Sequence, residues 1–338
     1  MQIASRAWLP IPHFEAHLHN ELTSFAKAKG FENCSLRTYG SFLCFGNIKD
    51  IEKNKNIFWR QLEVENPFVE EFDSIKDATK LLKNIQRNWV HLPFKCVRRG
   101  ELIQSSLPYI NKKPKEFPYS IPSAPIGVFT LLDEHHIFAS STTSSPFPLG
   151  KPHFVEDRVN PPSRAYLKLY EALTLMDYYK RKNDGEDAGL FHQGREDNEK
   201  PFSHLHCIDA GASPGGWTWV LDLLGASITA IDRSPLSPPL MKKKNINFIT
   251  HDAFTLPLQS FGKVDWIFSD VICYPPRLLE WVQKCLESKL CNNFVCTIKM
   301  QGNPDTSTIK EFLKIPHSRI VHLFHNKHEL TWLHADFL

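Results

Sequence analysis

The feature that most restricts how this chain can fold is the stretch at residues 204–233, HLHCIDAGASPGGWTWVLDLLGASITAIDR. A short apolar run ends in Asp209, a glycine-rich turn and an amphipathic segment follow, and a second apolar run ends in Asp232. That succession of periods is a β-turn-α-β unit, and strands alternating with helices call for a parallel sheet. Glycine at 211, 215 and 216 lets the backbone approach a ligand with no Cβ in the way, while Pro214 stiffens the turn. In a doubly wound sheet, ligands sit beyond the carboxyl ends of the strands, so Asp232 is placed to accept both hydroxyls of a ribose.

The spacing narrows the ligand. Gly211-Ala-Ser-Pro-Gly215-Gly216 is not the G-x-G-x-x-G of a dinucleotide site, and no Lys-Ser/Thr pair follows as in a phosphate-binding loop. A nucleoside without phosphates is favoured, and S-adenosylmethionine is such a ligand. The plainer alternative is a glycine turn that serves only strand–helix packing.

A chain of 338 residues suits two or three domains. Hydrophobic residues at 42% allow a sizeable core, yet no run approaches a membrane span and the first dozen residues lack a signal-peptide core, so the protein is expected to be cytoplasmic. The eight cysteines form no C-x-x-C pair and most lie in apolar runs, which predicts reduced thiols and no metal site. His317, His322, His325 and His328 cluster in sequence, but strand residues three apart point to opposite faces, which argues against a shared metal. A net charge of +3 excludes a general polycation, so nucleic-acid binding must come from local runs such as Arg98-Arg99, Lys112 to Lys115 or Lys242 to Lys244. Taken singly, each such run is a solvated face.

Taken in order, Phe14 to Ala28 is amphipathic and Ser41 to Phe45 is a short strand. A helix is expected over Ser74 to Asn88, and strands in WVHLPFKCVR and IGVFTLLDEHHIFAS. The prolines between Ser144 and Pro161 suit a domain connection, and a helix starts after Pro161-Pro162-Ser163. Arg181 to Lys200, charged and poor in apolar residues, is expected to be a mobile loop. Strands are then expected near 204–209, 227–232, 246–250, 264–269 and 293–299, followed by an antiparallel pair at Arg319–Phe324 and Glu329–His334.

At DAGASPGGW the chain resembles the FtsJ-like ribose 2'-O-methyltransferases, and more widely the RlmM-type enzymes that methylate a cytidine of bacterial 23S ribosomal RNA. The resemblance implies a Rossmann-like α/β methyltransferase domain at 151–338, its mixed, mostly parallel sheet ending in an antiparallel hairpin, behind a smaller α+β N-terminal region. It divides that region into a ferredoxin-like unit at 1–60, where FEAHLHNEL and FWRQ carry the likeness, and a THUMP-like RNA-binding domain at 61–150. By carry-over, Ser213, Pro214, Gly215 and Gly216 hold the methionine part of S-adenosylmethionine, Asp232 its ribose and Asp252 its adenine amino group, and Gly211, Trp217 and Asp270 also belong to the cofactor site. Ala165 stands where the family's PSRSTLK segment has a serine, so one hydrogen bond to the cofactor is expected to be missing.

Lys168, Asp270, Lys299 and Glu329 lie at strand ends or on the flanking helix, which places them over one edge of the sheet. They resemble the family's Lys-Asp-Lys-Glu tetrad in chain order. By that resemblance Lys299 accepts the proton, Asp270 orients it beside the methyl donor, and Lys168 and Glu329 position the ribose. A lysine can act so if its pKa is lowered, and burial and nearby positive charge both favour the neutral form. The expected activity is S-adenosylmethionine-dependent ribose 2'-O-methylation of RNA, with 23S ribosomal RNA rather than DNA or a membrane as partner. The alternatives are another RNA (transfer RNA or a messenger cap) and a non-catalytic RNA-binding protein that kept the fold. Oligomeric state is not legible in the sequence.

Overall fold

The computed structural model describes residues 2–30, 35–46, 57–192, 199–302 and 306–338. The chain divides into two compact units, residues 1–114 with 121–153, and residues 115–120 with 154–338.

The first unit carries β1 (Arg6–Pro10), α1 (Glu15–Ala28), β2 (Leu36–Tyr39), β3 (Phe42–Phe45), β4 (Arg60–Glu65), β5 (Phe68–Glu71), α2 (Ile75–Ile85), β6 (Trp89–His91), α3 (Val97–Ser106), β7 (Gly127–Leu131), β8 (His136–Ser140) and β9 (Thr142–Thr143). One sheet runs β2-β3-β1-β4-β9 and the other β5-β8-β7-β6. Leu18, Leu22 and Ala26 recur at four-residue spacing and form the buried stripe of α1. Ser74 starts α2 by accepting a hydrogen bond from Asp77 N at 3.1 Å. The expected limit between residues 60 and 61 falls within β4, which pairs with β1 from Arg60 to Glu65.

Two strand expectations change here. WVHLPFKCVR is a strand only over Trp89–His91, because Pro93 has no N–H to give to a ladder, and α3 begins at Val97. IGVFTLLDEHHIFAS is two strands, with Asp133 Oδ1 accepting from His135 N and His136 N, both at 2.8 Å, in the turn between them.

The second unit continues with α4 (Tyr166–Asp184), β10 (His206–Ala210), α5 (Gly216–Leu223), β11 (Ser227–Asp232), α6 (Pro238–Met241), β12 (Ile246–Thr250), β13 (Trp266–Ser269), α7 (Pro275–Glu287), β14 (Phe294–Lys299), α8 (Thr306–Lys314), β15 (Ser318–Val321) and β16 (Glu329–His334). The sheet order is β12-β11-β10-β13-β14-β16-β15. The first five strands are parallel, and β16 is antiparallel to both β14 and β15. The hairpin expected at the end is therefore present, with its second strand inserted between β14 and β15. Cys207, Ile208 and Ala210 of β10 and every residue of β16 are buried, as central strands covered on both faces must be.

Strand order reverses on either side of β10, and there the carboxyl ends open a crevice. Helix α4 extends to Asp184, so the expected mobile stretch at 181–200 begins inside a helix. Buried Arg181 pairs with buried Asp177 at 3.0 Å and with Glu186 at 2.7 Å, and Leu190 and Phe191 are buried beside them. Two apolar residues and one buried ion pair suffice to fix this part of a charged segment; residues 193–198 lie outside the described residues. The seven described cysteines are free, most of them buried, and Cys34 lies outside the described residues.

Candidate active site

Four side chains from four elements close a ring at the carboxyl edge of the sheet. Lys168 Nζ of α4 donates to Asp270 Oδ2 at 2.7 Å and to Glu329 Oε1 at 2.9 Å. Lys299 Nζ donates to Asp270 Oδ1 and to Glu329 Oε2, both at 2.7 Å. Each carboxylate oxygen takes one ammonium hydrogen, and all four side chains are less than a fifth exposed. The backbone sets much of this geometry, because Lys299 ends β14, Glu329 begins β16, and the antiparallel register makes them direct cross-strand partners. Asp270 follows the last residue of β13, at the adjacent strand end.

The electrostatics run against the sequence expectation for Lys299. Burial alone would lower its pKa, but Asp270 and Glu329 together outweigh burial and raise it, so the resting ring holds Lys299 as an ammonium. Glu329 shows the converse: burial pushes it up, and Lys168 and Lys299 hold it below the usual carboxylate range. The two partners agree in direction. A neutral amine would be favoured by the positive neighbours the sequence reading assumed, whereas the nearest groups here are two acids.

The glycine turn lies between β10 and α5. Gly211 has φ +77° and Gly215 φ +113°, backbone that residues with a Cβ rarely adopt. A Cβ at Gly211 would come within 2.7 Å of Val271, at Gly215 within 2.3 Å of Leu240, and at Gly216 within 2.4 Å of Ser163 Oγ. At Gly211 the Val271 Cβ and backbone leave no room for a side chain, whereas at Gly215 and Gly216 the facing atoms are the ends of the Leu240 and Ser163 side chains. Asp232 Oδ2 accepts from Ser213 N at 3.0 Å and Oδ1 from Ser234 N at 2.9 Å, which ties the turn to the end of β11. Asp209, the other strand-end acid, turns inward to accept from Thr218 Oγ1 at 2.6 Å, and burial raises its pKa to about 7. It fastens β10 to α5 and does not line the pocket.

A half-open pocket of about 140 Å³ opens beside the turn, lined among others by Gly211, Asp232, Asp252, Phe254, Ile272 and Arg277. Ser213, Pro214, Gly215 and Gly216 are not among its walls. Trp217, expected against the cofactor, is buried and donates from Nε1 to Ala165 O at 2.9 Å, so it joins α5 to the start of α4. Its indole N–H needs a partner once buried, and a neighbouring carbonyl provides it. Asp252 Oδ2 accepts from Arg233 Nη2 at 2.5 Å and Arg277 Nη2 at 2.8 Å, and Oδ1 from Phe254 N at 3.1 Å. Burial pushes this carboxyl up, but those donors outweigh it and hold the pKa below the ordinary value. Arg277 also lies 5.2 Å from the centre of the Phe254 ring.

Sequence reasoning missed Arg233, Arg277 and Glu171. Arg233 follows Asp232 directly and could have been read from that adjacency; the pairing of Arg277 with Asp252 joins the first turn of α7 to the segment after β12 and leaves no local signal. Glu171, one turn beyond Lys168 on α4, is buried and accepts from Phe324 N with both carboxylate oxygens, at 3.0 and 2.9 Å. Burial drives its pKa up to about 8 against the pull of the Phe324 and His325 amides. No three His, Cys, Asp or Glu side chains gather as a metal set among the described residues.

A seven-stranded sheet with the turn at its switch point, acid-ended strands, and one antiparallel strand inserted beside the last parallel one defines a Rossmann-like methyltransferase domain. The chain belongs to the FtsJ-like methyltransferase family, whose model matches residues 161–330 of the 338. Among its relatives, the ribosomal RNA large subunit methyltransferase M of Halorhodospira halophila is 29% identical over 204 residues, 59% of this chain and 54% of that protein. The protein of the same name from Xanthomonas oryzae is 27% identical over 278 residues, 79% of this chain and 70% of that protein. The chain spans about half the length of most of the curated relatives it matches. A solved ribosomal RNA methyltransferase from Plasmodium falciparum, 20% identical, covers 52% of this chain and 98% of its own with a TM-score of 0.33.

Proposed function

We propose that the protein is an S-adenosylmethionine-dependent ribose 2'-O-methyltransferase whose substrate is large-subunit ribosomal RNA. The single observation that carries the reading is the closed ring of Lys168, Asp270, Lys299 and Glu329, set at the strand ends next to the acid-lined pocket. The relatives' names supply the RNA class. A cytoplasmic location goes with that substrate, and among the described residues no helix is long and apolar enough to cross a membrane. RNA recognition is assigned in part to the first unit, in the place of a THUMP-like domain.

The pocket residues fit the cofactor. Asp232 uses one lone pair of each oxygen on backbone amides, which leaves acceptor capacity for two ribose hydroxyls. Asp252 already holds three donors, so an adenine amino group would share it with the two arginines. S-adenosylmethionine supplies a methyl group on a positively charged sulfonium. Asp270 faces both ways, as a partner of both lysines and as the first residue of the segment whose Val271 and Ile272 line the pocket.

In the resting ring Lys299 must lose its proton before it can serve as a base. A positive charge beside Asp270 offsets part of the carboxylate field that holds the ammonium and so lowers the cost of that loss. Neutral Lys299 Nζ would then take the 2'-hydroxyl proton as that oxygen accepts the methyl group that bound S-adenosylmethionine would supply, and Lys299 would end the step as an ammonium. Lys168 keeps Asp270 and Glu329 in place throughout, since it alone then balances them.

The test is transfer of labelled methyl from S-adenosylmethionine to purified ribosomal RNA, transfer RNA and capped messenger RNA, with the product nucleotide identified. Label in a 2'-O-methylated nucleoside of large-subunit RNA supports the proposal. Label in another RNA redirects the substrate, and none in any RNA favours a binding protein that kept the fold.

A further inference from the structure

Among the described residues of the second unit, the large aromatic side chains that stand exposed are Tyr274, at 66%, and Phe324, at 43%. Tyr274 belongs to the loop that carries Asp270, and Phe324 to the loop that leads into Glu329 at the start of β16. Tyr274 lies four residues after Asp270, in the segment whose Val271 and Ile272 wall the pocket, and Phe324 lies five before Glu329. Rings displayed on these two loops offer flat apolar faces to a planar partner.

Both backbones are fixed while the rings face outward. Tyr274 is the cap residue of α7, where Pro275 and Pro276 set the first turn and Arg277 N donates to Tyr274 O at 3.1 Å. Phe324 is anchored by the bidentate contact of its N–H with buried Glu171, by Leu323, which is fully buried, and by the turn from Asn326 N to Leu323 O at 3.0 Å. Fixed backbone with a displayed ring is a pre-organised stacking surface, because little further entropy is lost when a flat ligand settles on it.

We infer that Tyr274 and Phe324 form a stacking clamp for unpaired RNA bases, one for the base of the methylated nucleotide and one for a neighbour. The inference rests on the reading of the ring as a ribose-methylation site. A ribose whose 2'-oxygen reaches Lys299 Nζ carries its base on the adjacent carbon, so that base must lie on the rim around the ring of charges. Every base has a π-face, and aromatic side chains hold single-stranded nucleic acid by stacking with little sequence preference. A paired base within a helix has its faces taken, so the clamp commits the substrate to a nucleotide in a loop, bulge or opened strand.

The experiment compares wild type, Tyr274→Ala, Phe324→Ala and Tyr274→Phe in the full chain. Equilibrium binding is followed on a single-stranded oligoribonucleotide containing 2-aminopurine and on its duplex, with single-turnover methylation of ribosomal RNA measured in parallel. Each alanine variant should bind the single strand about five- to one-hundred-fold more weakly, while Tyr274→Phe stays within about twofold. Duplex and S-adenosylmethionine binding should be unchanged, which also shows that the variants fold. Alanine variants that bind the single strand like wild type, or lose single strand and duplex equally, overturn the clamp while a methylating wild type leaves the ring's function standing. A wild type that methylates no RNA overturns the reading of the ring first, and the clamp with it.

Discussion

Two carboxylate sites a short way apart in the second unit use the same contacts to opposite ends. In the ring, two acids share two lysines, so charges balance and every acceptor position facing inward is filled. At the pocket, one acid, Asp252, holds two arginines, and Asp232 on the same wall balances the remaining positive charge. Lysine can give up a proton under a modest change of field, whereas arginine stays charged at any ordinary pH. The ring is therefore a place where a proton can move, and the arginine pair is a fixed brace. The difference lies in which cation was used, since distances at the two sites are alike.

Exchanging the cations tests this most strongly. Lys299→Arg keeps the charge but cannot take a proton near neutral pH, so single-turnover methylation should fall about a hundred- to ten-thousand-fold while cofactor binding survives. The reverse exchange, Arg277→Lys, should leave the rate within about tenfold, because the brace needs charge and reach only. Near wild-type turnover by Lys299→Arg would break the comparison, and if Lys168→Arg were the inactive variant the two lysines would trade places in the mechanism.

A second pair of variants sharpens it through pH. Glu329→Gln removes one of the two acids that raise the Lys299 pKa, so neutral lysine becomes available at lower pH and the rising limb of the pH–rate profile should move to lower pH. Asp252→Asn should weaken S-adenosylmethionine binding and leave that limb in place. Profiles recorded for both variants at saturating cofactor decide it, and a limb that moves with Asp252→Asn would mean the two sites are coupled.

The smallest effect concerns Glu171, a buried acid with no cation against it. Its folded pKa, about 8, lies above the ordinary 4.5, so the native state binds this proton more readily than the unfolded chain. Its contribution to stability is then lost as pH rises from about 4.5 through about 8. Glu171→Gln removes the titration, and its urea midpoint should fall less than that of wild type between about pH 6 and about pH 9. Parallel pH dependences would place the proton elsewhere.

Much of the second unit was legible in the sequence. Its strands are short apolar runs, three of them (β10, β11 and β13) closed by an acid at or next to the last residue, and the ring residues on the sheet stand at strand ends, where direction along the chain already fixes the edge of the sheet. The ring's charge state was not legible, because Lys299 gains its two acids through a strand register and a loop end rather than through neighbours in sequence. Trp217 is buried and bonded to the carbonyl of Ala165, a contact between α5 and the start of α4 that no local pattern announces. Arg181–Phe191 misled through composition, since charge hid one buried pair and two anchoring apolar side chains. In the first unit, α1 and α2 showed their period, while α3 lacks a strong one and follows Pro93, which made its start resemble a continuing strand.

The insertion of β16 between β14 and β15 also bears on the order in which the molecule comes into being during synthesis. Lys299 leaves the ribosome 30 residues ahead of Glu329. Until residues 329–334 follow, β14 has an open edge and its lysine faces one acid in place of two. A chain that ends before β16 carries the residues that wall the pocket but only three members of the ring, Lys168, Asp270 and Lys299. The ring closes in one step with the last strand of the sheet to be made.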